Sequence, residues 1–88
     1  MKNYDIADIV KIIEKTCEKN GFKCWEVEDC HFIVWLNNSG HKEVVSVWID
    51  EIGYVEVENR FDSKSFEFDE LKNPYDPELG MAIYTLLD

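Results

Sequence analysis

Eighty-eight residues with 45% hydrophobic content and twelve aromatic side chains make one domain, 1–88, with enough apolar surface for a core and too much for a disordered chain. The formal charge of −10 is lopsided: residues 1–25 balance at +1, whereas residues 26–88 set fifteen acids against Lys42, Arg60, Lys64 and Lys72, a balance of −11. That field argues against direct nucleic-acid binding and against anionic membranes, and no run approaches the ~20 apolar residues of a membrane span.

The first element is a helix. Ile6, Ile9, Val10, Ile13 and Cys17 recur at helical spacing, and Ala7 and Ile12 widen the stripe. Asn3 or Asp5 is placed to cap its start. Asn20-Gly21 ends it, because glycine takes the left-handed conformation without steric cost, and Phe22 then folds back toward Cys17. The charges inside this segment interrupt it as an apolar stretch, so no secretory signal is expected.

Strands are expected at 22–28, 30–37, 42–50 and 54–58, where β-branched and aromatic residues concentrate. Asn38-Ser39-Gly40 and Glu51-Ile52-Gly53 each place glycine third in a three-residue loop, which suits a type I turn closing with a bulge. Used in both hairpins, that loop pairs Asn37 with His41 and Asp50 with Tyr54. One face then carries Ile33, Trp35, Val45, Val47, Ile49, Val55 and Val57. The other carries Phe32, Val34, Leu36, Val44, Ser46, Trp48, Tyr54, Glu56 and Glu58. A two-residue turn at Asn38-Ser39 would exchange the faces of the partner strand.

Residues 59–65 read as a loop and Phe66-Glu67-Phe68-Asp69 as a short edge strand. A turn around Pro74 leads to Asp76-Pro77-Glu78, which opens a second helix with Asp at the N-cap and Pro in the first turn. Leu79, Ala82, Ile83 and Leu86 form its stripe, although Gly80 is a poor helix former. The fold class is α+β: an N-terminal helix, an antiparallel sheet of four strands with room for a fifth, and a C-terminal helix.

Chemistry-bearing clusters are few. Cys24, Cys30 and His31 do not follow the paired C-x2-4-C spacing of structural zinc sites, and buried apolar cysteines are the plainer reading. The odd set of Cys17, Cys24 and Cys30 fits reduced thiols in the cytoplasm. Neighbouring strand residues such as Cys30 and His31 point to opposite faces and form no nucleophile–base dyad. The acid pairs Glu26 with Glu28, Glu56 with Glu58 and Glu67 with Asp69 share strand faces but no cation-loop motif. No catalytic centre, metal or cofactor is expected.

The aromatic and acidic mixture is more informative. Trp48, Tyr54, Glu56 and Glu58 share one expected face, with Asp50 beside the turn. Rings anchor and carboxylates pair with Arg and Lys on a basic protein surface, unless one helix covers each face and the rings are core.

The order of elements, together with the segment Phe32-Ile33-Val34-Trp35-Leu36-Asn37-Asn38-Ser39-Gly40 running on to Val47, resembles small acidic phage anti-CRISPR proteins directed at type II-A Cas9. The resemblance covers about half the chain. It departs at 77–87, which is mostly apolar where that group is densely acidic. It implies an inhibitor of a defence nuclease and transfers no individual residue.

The resulting expectation is a non-catalytic inhibitor that presents carboxylates to a basic, nucleic-acid-binding protein and occupies its nucleic-acid site. The candidate contacts are Trp48, Asp50, Glu51, Tyr54, Glu56, Glu58, Asp62, Glu67, Asp69 and Glu70. The alternative is an antitoxin, immunity or assembly module that binds through Trp35, Trp48 or Phe66 on the sheet rather than through net charge.

Overall fold

The computed structural model describes residues 5–36 and 44–87. Helix α1 (Ile6–Asn20) is followed by strands β1 (Phe22–Glu28), β2 (His31–Leu36), β3 (Val45–Asp50), β4 (Tyr54–Glu58) and β5 (Ser63–Glu67), a single 3-10 turn (Phe68–Glu70) and helix α2 (Pro77–Leu87). The strands pair in chain order, each antiparallel to the next, as a five-stranded meander. The protein is α+β, as the order of sequence patterns predicts.

α1 ends at Gly21, whose φ of 73° is the left-handed conformation and whose N–H donates to the Glu18 carbonyl at 3.3 Å. Asp5 occupies the N-cap position with extended backbone, but its side chain makes no capping bond, and Asn3 lies outside the described residues. α2 is capped far more firmly. Asp76 is buried, its Oδ1 accepts from the Leu79 N–H at 2.8 Å, and its Oδ2 accepts from the Lys72 N–H at 2.9 Å. The Asp76 N–H donates to Thr16 Oγ1 at 3.0 Å and so ties the start of α2 to α1. Gly80 has a packing reason: a Cβ there would meet Asn20 Nδ2 at 2.5 Å, and that amide already donates to the Thr16 carbonyl at 2.8 Å.

Both helices lie on the same face of the sheet. α1 packs on β1 and α2, and α2 crosses β2 to β5. Beneath them sit Phe32, Val34, Val45, Val47, Val55 and Val57, all at most 2% exposed. A helix on each face, which would have buried Trp48, is not the arrangement. One face of the sheet has no element of the described residues packed over it.

The register departs from expectation in one hairpin. Between β3 and β4, Asp50 pairs with Tyr54, and Gly53 closes the loop with φ 107° and an N–H bond to the Asp50 carbonyl at 3.2 Å. Between β2 and β3, Phe32 pairs with Val47 and Val34 with Val45, one residue away from the register expected of a bulged Asn38-Ser39-Gly40 turn. That turn and the Asn37–His41 pair lie outside the described residues. The shift puts Phe32 and Val34 under the helices and sends Ile33 and Trp35 to the uncovered face, exchanging the expected faces of β2.

Two smaller corrections follow from turn chemistry. Cys30 is not the start of a strand. It sits in the tight Asp29-Cys30 connection with φ 65°, and its carbonyl accepts from the Ile49 N–H at 2.8 Å. Ser63, Lys64 and Ser65 belong to β5 rather than a loop, whereas Phe68 leaves the strand for the 3-10 turn. Among the described residues no helix is long and apolar enough to cross a membrane.

Candidate functional site

The uncovered face is built from alternate positions of every strand. The cross-strand register arranges them in rows: Lys23 with Trp35; Trp25, Ile33, Ser46, Glu58 and Ser63; Glu28, His31, Trp48, Glu56 and Ser65; Asp50, Tyr54 and Glu67. All three tryptophans of the chain therefore share one face. The β1–β2 half sets Trp25, Ile33 and Trp35 between Lys23 and the Glu28–His31 pair, the β4–β5 half carries carboxylates and serines with Tyr54, and Trp48 stands between them.

Exposure follows the same division. Trp25 is 67% exposed, Trp48 39% and Tyr54 40%, while Ile33 and Trp35 are half-buried by their neighbours. Ordinary surfaces scatter single exposed rings, whereas contiguous apolar patches mark interaction sites. Trp48 is held in place on two sides. The His31 ring stacks on it with centroids 3.6 Å apart and planes 10° apart, and its Nε1–H donates to Glu58 Oε1 at 3.0 Å. His31 in turn has Nδ1 3.7 Å from Glu28 Oε1, and neither ring nitrogen has a hydrogen-bond partner among the described residues.

The expected contact residues divide. Trp48, Asp50, Tyr54, Glu56, Glu58 and Glu67 come together on the open face, and Glu51 stands in the adjoining turn. Asp62 lies in the β4–β5 turn, where its N–H donates to Asn59 Oδ1 at 2.7 Å. Asp69 and Glu70 lie on the 3-10 turn beyond β5, not on alternate strand positions, because Phe68 turns inward to bury its ring and donates its N–H to the Gly53 carbonyl at 2.9 Å. Phe66 is core as well and is unavailable as a docking ring.

The residues missed as surface anchors are Trp25, Ile33 and His31, while Trp35, expected as an anchor in the alternative reading, lies on the face opposite to the one expected for it. A signal for them exists in β3 and β4, where polar Ser46, Glu56 and Glu58 alternate with buried valines. That pattern belongs to a sheet with one solvated face, and Trp48 is in phase with the polar set.

The thiols show an unforeseen pairing. The Cys17 thiol on α1 hydrogen-bonds to Cys24 on β1. That bond, then burial, pushes Cys17 well above the ordinary thiol range, while the same bond pulls Cys24 down to about 7. Burial first, then Asp29, Glu51 and Glu26, pushes Cys30 up. No group of three His, Cys, Asp or Glu side chains among the described residues is placed to hold a metal ion.

A second concavity lies where α1 ends against α2. Lys19, Tyr75, Met81 and Tyr84 line a groove of about 460 Å³, with the Lys19 ammonium 5.2 Å above the Tyr75 ring. It lacks the pairing of exposed indoles with carboxylates that marks the open sheet face. Comparison with known proteins returns no matching family model, no similar curated protein and no similar solved structure.

Proposed function

We propose that this protein is a non-catalytic binding protein that docks the open face of its sheet on a basic protein. The observation that carries the reading is the gathering of all three tryptophans on an uncovered face that continues into Glu56, Glu58, Asp50 and Glu67. Trp25, Trp35 and Trp48 anchor, since large rigid rings dominate binding energy where they lose water. The carboxylates steer association and pair with Lys and Arg.

The target class is a nucleic-acid-binding protein, with a CRISPR or other defence nuclease the first kind to examine. Carboxylates on β3 to β5 take the places of phosphates in its positive groove, and the protein acts as an inhibitor. Free thiols at Cys17, Cys24 and Cys30 suit a reducing cytoplasm.

The test is competition. The protein displaces DNA or RNA from its captured target, and Trp25→Ala or Glu56→Gln with Glu58→Gln weakens displacement by about tenfold or more. Neutral open-face variants beside a damaging Met81→Ala would move the site to the helical groove and end this reading.

A second reading is favoured by the exposure of Trp25 beside Ile33, an apolar area on β1 and β2 separated by β3 from the acids of β4 and β5. An antitoxin or immunity-type partner would use that half alone. Its complex would hold its affinity from low to high salt, where carboxylate pairing loses strength.

A further inference from the structure

We infer that Trp48, Glu56 and Glu58 form a socket for an arginine side chain of the partner. The inference rests on the docking reading above and names the chemistry of its central contact.

Three observations converge. The first is the indole itself. His31 covers one of its faces at 3.6 Å, and the strand order puts β4 on the other side, where Glu56 is the direct cross-strand partner of Trp48. Trp48 keeps 39% of its surface exposed, so a flat cation arriving from solvent can reach the indole and a carboxylate together. The second is the bond from Trp48 Nε1–H to Glu58 Oε1 at 3.0 Å, which fixes the ring and aims the carboxylate. A carboxylate has about four lone-pair sites, so Glu58 still accepts from a ligand. The third is the surroundings. Ser46, Ser63 and Ser65 are cross-strand neighbours of Glu58 and Glu56, and with such short side chains around them Glu56 is exposed and Glu58 half-buried.

Among the described residues these acids have no counter-ion: no cation lies within salt-bridge distance of Glu56 or Glu58. Lys64, the nearest basic residue in the register, pairs with buried Val57 and sets its ammonium 5.5 Å above the Phe66 ring on the opposite face. Lys23 lies on β1, at the far edge of the sheet. The charge of the socket is thus left for a partner.

The shape selects arginine over lysine. A guanidinium is planar and stacks on an indole while its five N–H donors point outward in the ring plane toward carboxylates. Glu56 and Glu58, two residues apart on one strand, stand roughly 7 Å apart at the backbone and can receive those donors from two directions. A lysine ammonium satisfies the charge but offers no flat face.

The experiment is an NMR titration of the intact protein with two blocked pentapeptides, Gly-Arg-Gly-Arg-Gly and Gly-Lys-Gly-Lys-Gly, equal in charge. Single Trp→Phe variants assign the three indole N–H signals. The arginine peptide moves the Trp48 signal and binds about tenfold tighter than the lysine peptide. Glu56→Gln and Glu58→Gln each weaken it by about threefold or more, and Met81→Ala, in the helical groove, leaves it within about twofold. Equal response to both peptides, movement of Trp25 or Trp35 without Trp48, or no response overturns the socket. Each of those results leaves the docking reading standing if Trp25→Ala still weakens displacement of nucleic acid from the target. The glutamine variants keep side-chain shape, and the spectrum of each variant reports its fold, so a misfolded Trp48 variant does not decide the matter.

Discussion

The two faces of this sheet share the same strands and differ in what covers them. The face under α1 and α2 holds Phe32, Val34, Val45, Val47, Val55 and Val57, nearly devoid of solvent contact. The face one residue out of phase holds Trp25, Ile33, Trp35 and Trp48 on the β1–β3 side and Glu56, Glu58 and Glu67 on the other. The first face pays the entropy of folding through buried area. The second keeps large rings in water at a cost to solubility that a fold-only role does not explain. On the proposed function, stability and recognition are thus separated by a single step along each strand.

The largest effect separates neighbours on β2. Phe32→Ala costs about 3–5 kcal/mol in denaturant unfolding, because it empties a core position. Ile33→Ala, on the open face, costs about 1 kcal/mol. Equal costs, or the reverse order, would mean that β2 presents its other face to the helices. Asp76→Ala comes next, at about 2 kcal/mol, since it strands the N–H groups of Lys72 and Leu79 at the junction that holds α2 over the sheet. Asp76→Asn recovers part of that loss.

Salt sharpens the division within the open face. Raising ionic strength from about 0.05 to 0.5 M weakens binding to a basic partner by about tenfold, and the Glu56→Gln, Glu58→Gln pair flattens that slope. Trp25→Ala lowers affinity by a similar factor at every salt concentration. Parallel salt slopes for the glutamine and wild-type proteins would remove the carboxylates from the interface.

The smallest effect concerns the thiols at the β1 edge of the helical layer. Alkylation of Cys24 rises as pH climbs through about 7, where its thiolate forms, while Cys17 and Cys30 lag because their thiols are held protonated. Cys17→Ala removes the hydrogen-bond donor and moves the Cys24 midpoint up toward the ordinary thiol value. Mass spectrometry of the labelled peptides reads both midpoints.

Much of the architecture was legible in the residues. The α1 stripe, the Asn20-Gly21 stop, the Asp76-Pro77 start and the alternation of Tyr54–Glu58 each carry a local physical signal, and each matches the structure. The face of β2 was not legible, because Phe32-Ile33-Val34-Trp35-Leu36 is apolar at every position and contains no period of two. Only pairing with β3 decides it. β5 was hidden for the opposite reason: Ser63-Lys64-Ser65 has little strand propensity and is recruited by the backbone bonds of β4. The consequence for the site was substantial. The sequence pattern puts Trp48, Tyr54, Glu56 and Glu58 on their shared face, but it groups Trp35 and Ile33 with Val45, Val47 and Val55 and assigns Trp25 to neither face.

On the proposed function, the open face serves docking and is not part of what holds the fold. The affinity of the Trp25→Ala, Trp48→Ala double variant for the captured basic partner, measured on a sample whose thermal midpoint lies within about 4–8 °C of wild type, tests this most directly. The account predicts a loss of about a hundredfold or more with the fold retained. Unchanged affinity in a folded double variant would contradict it.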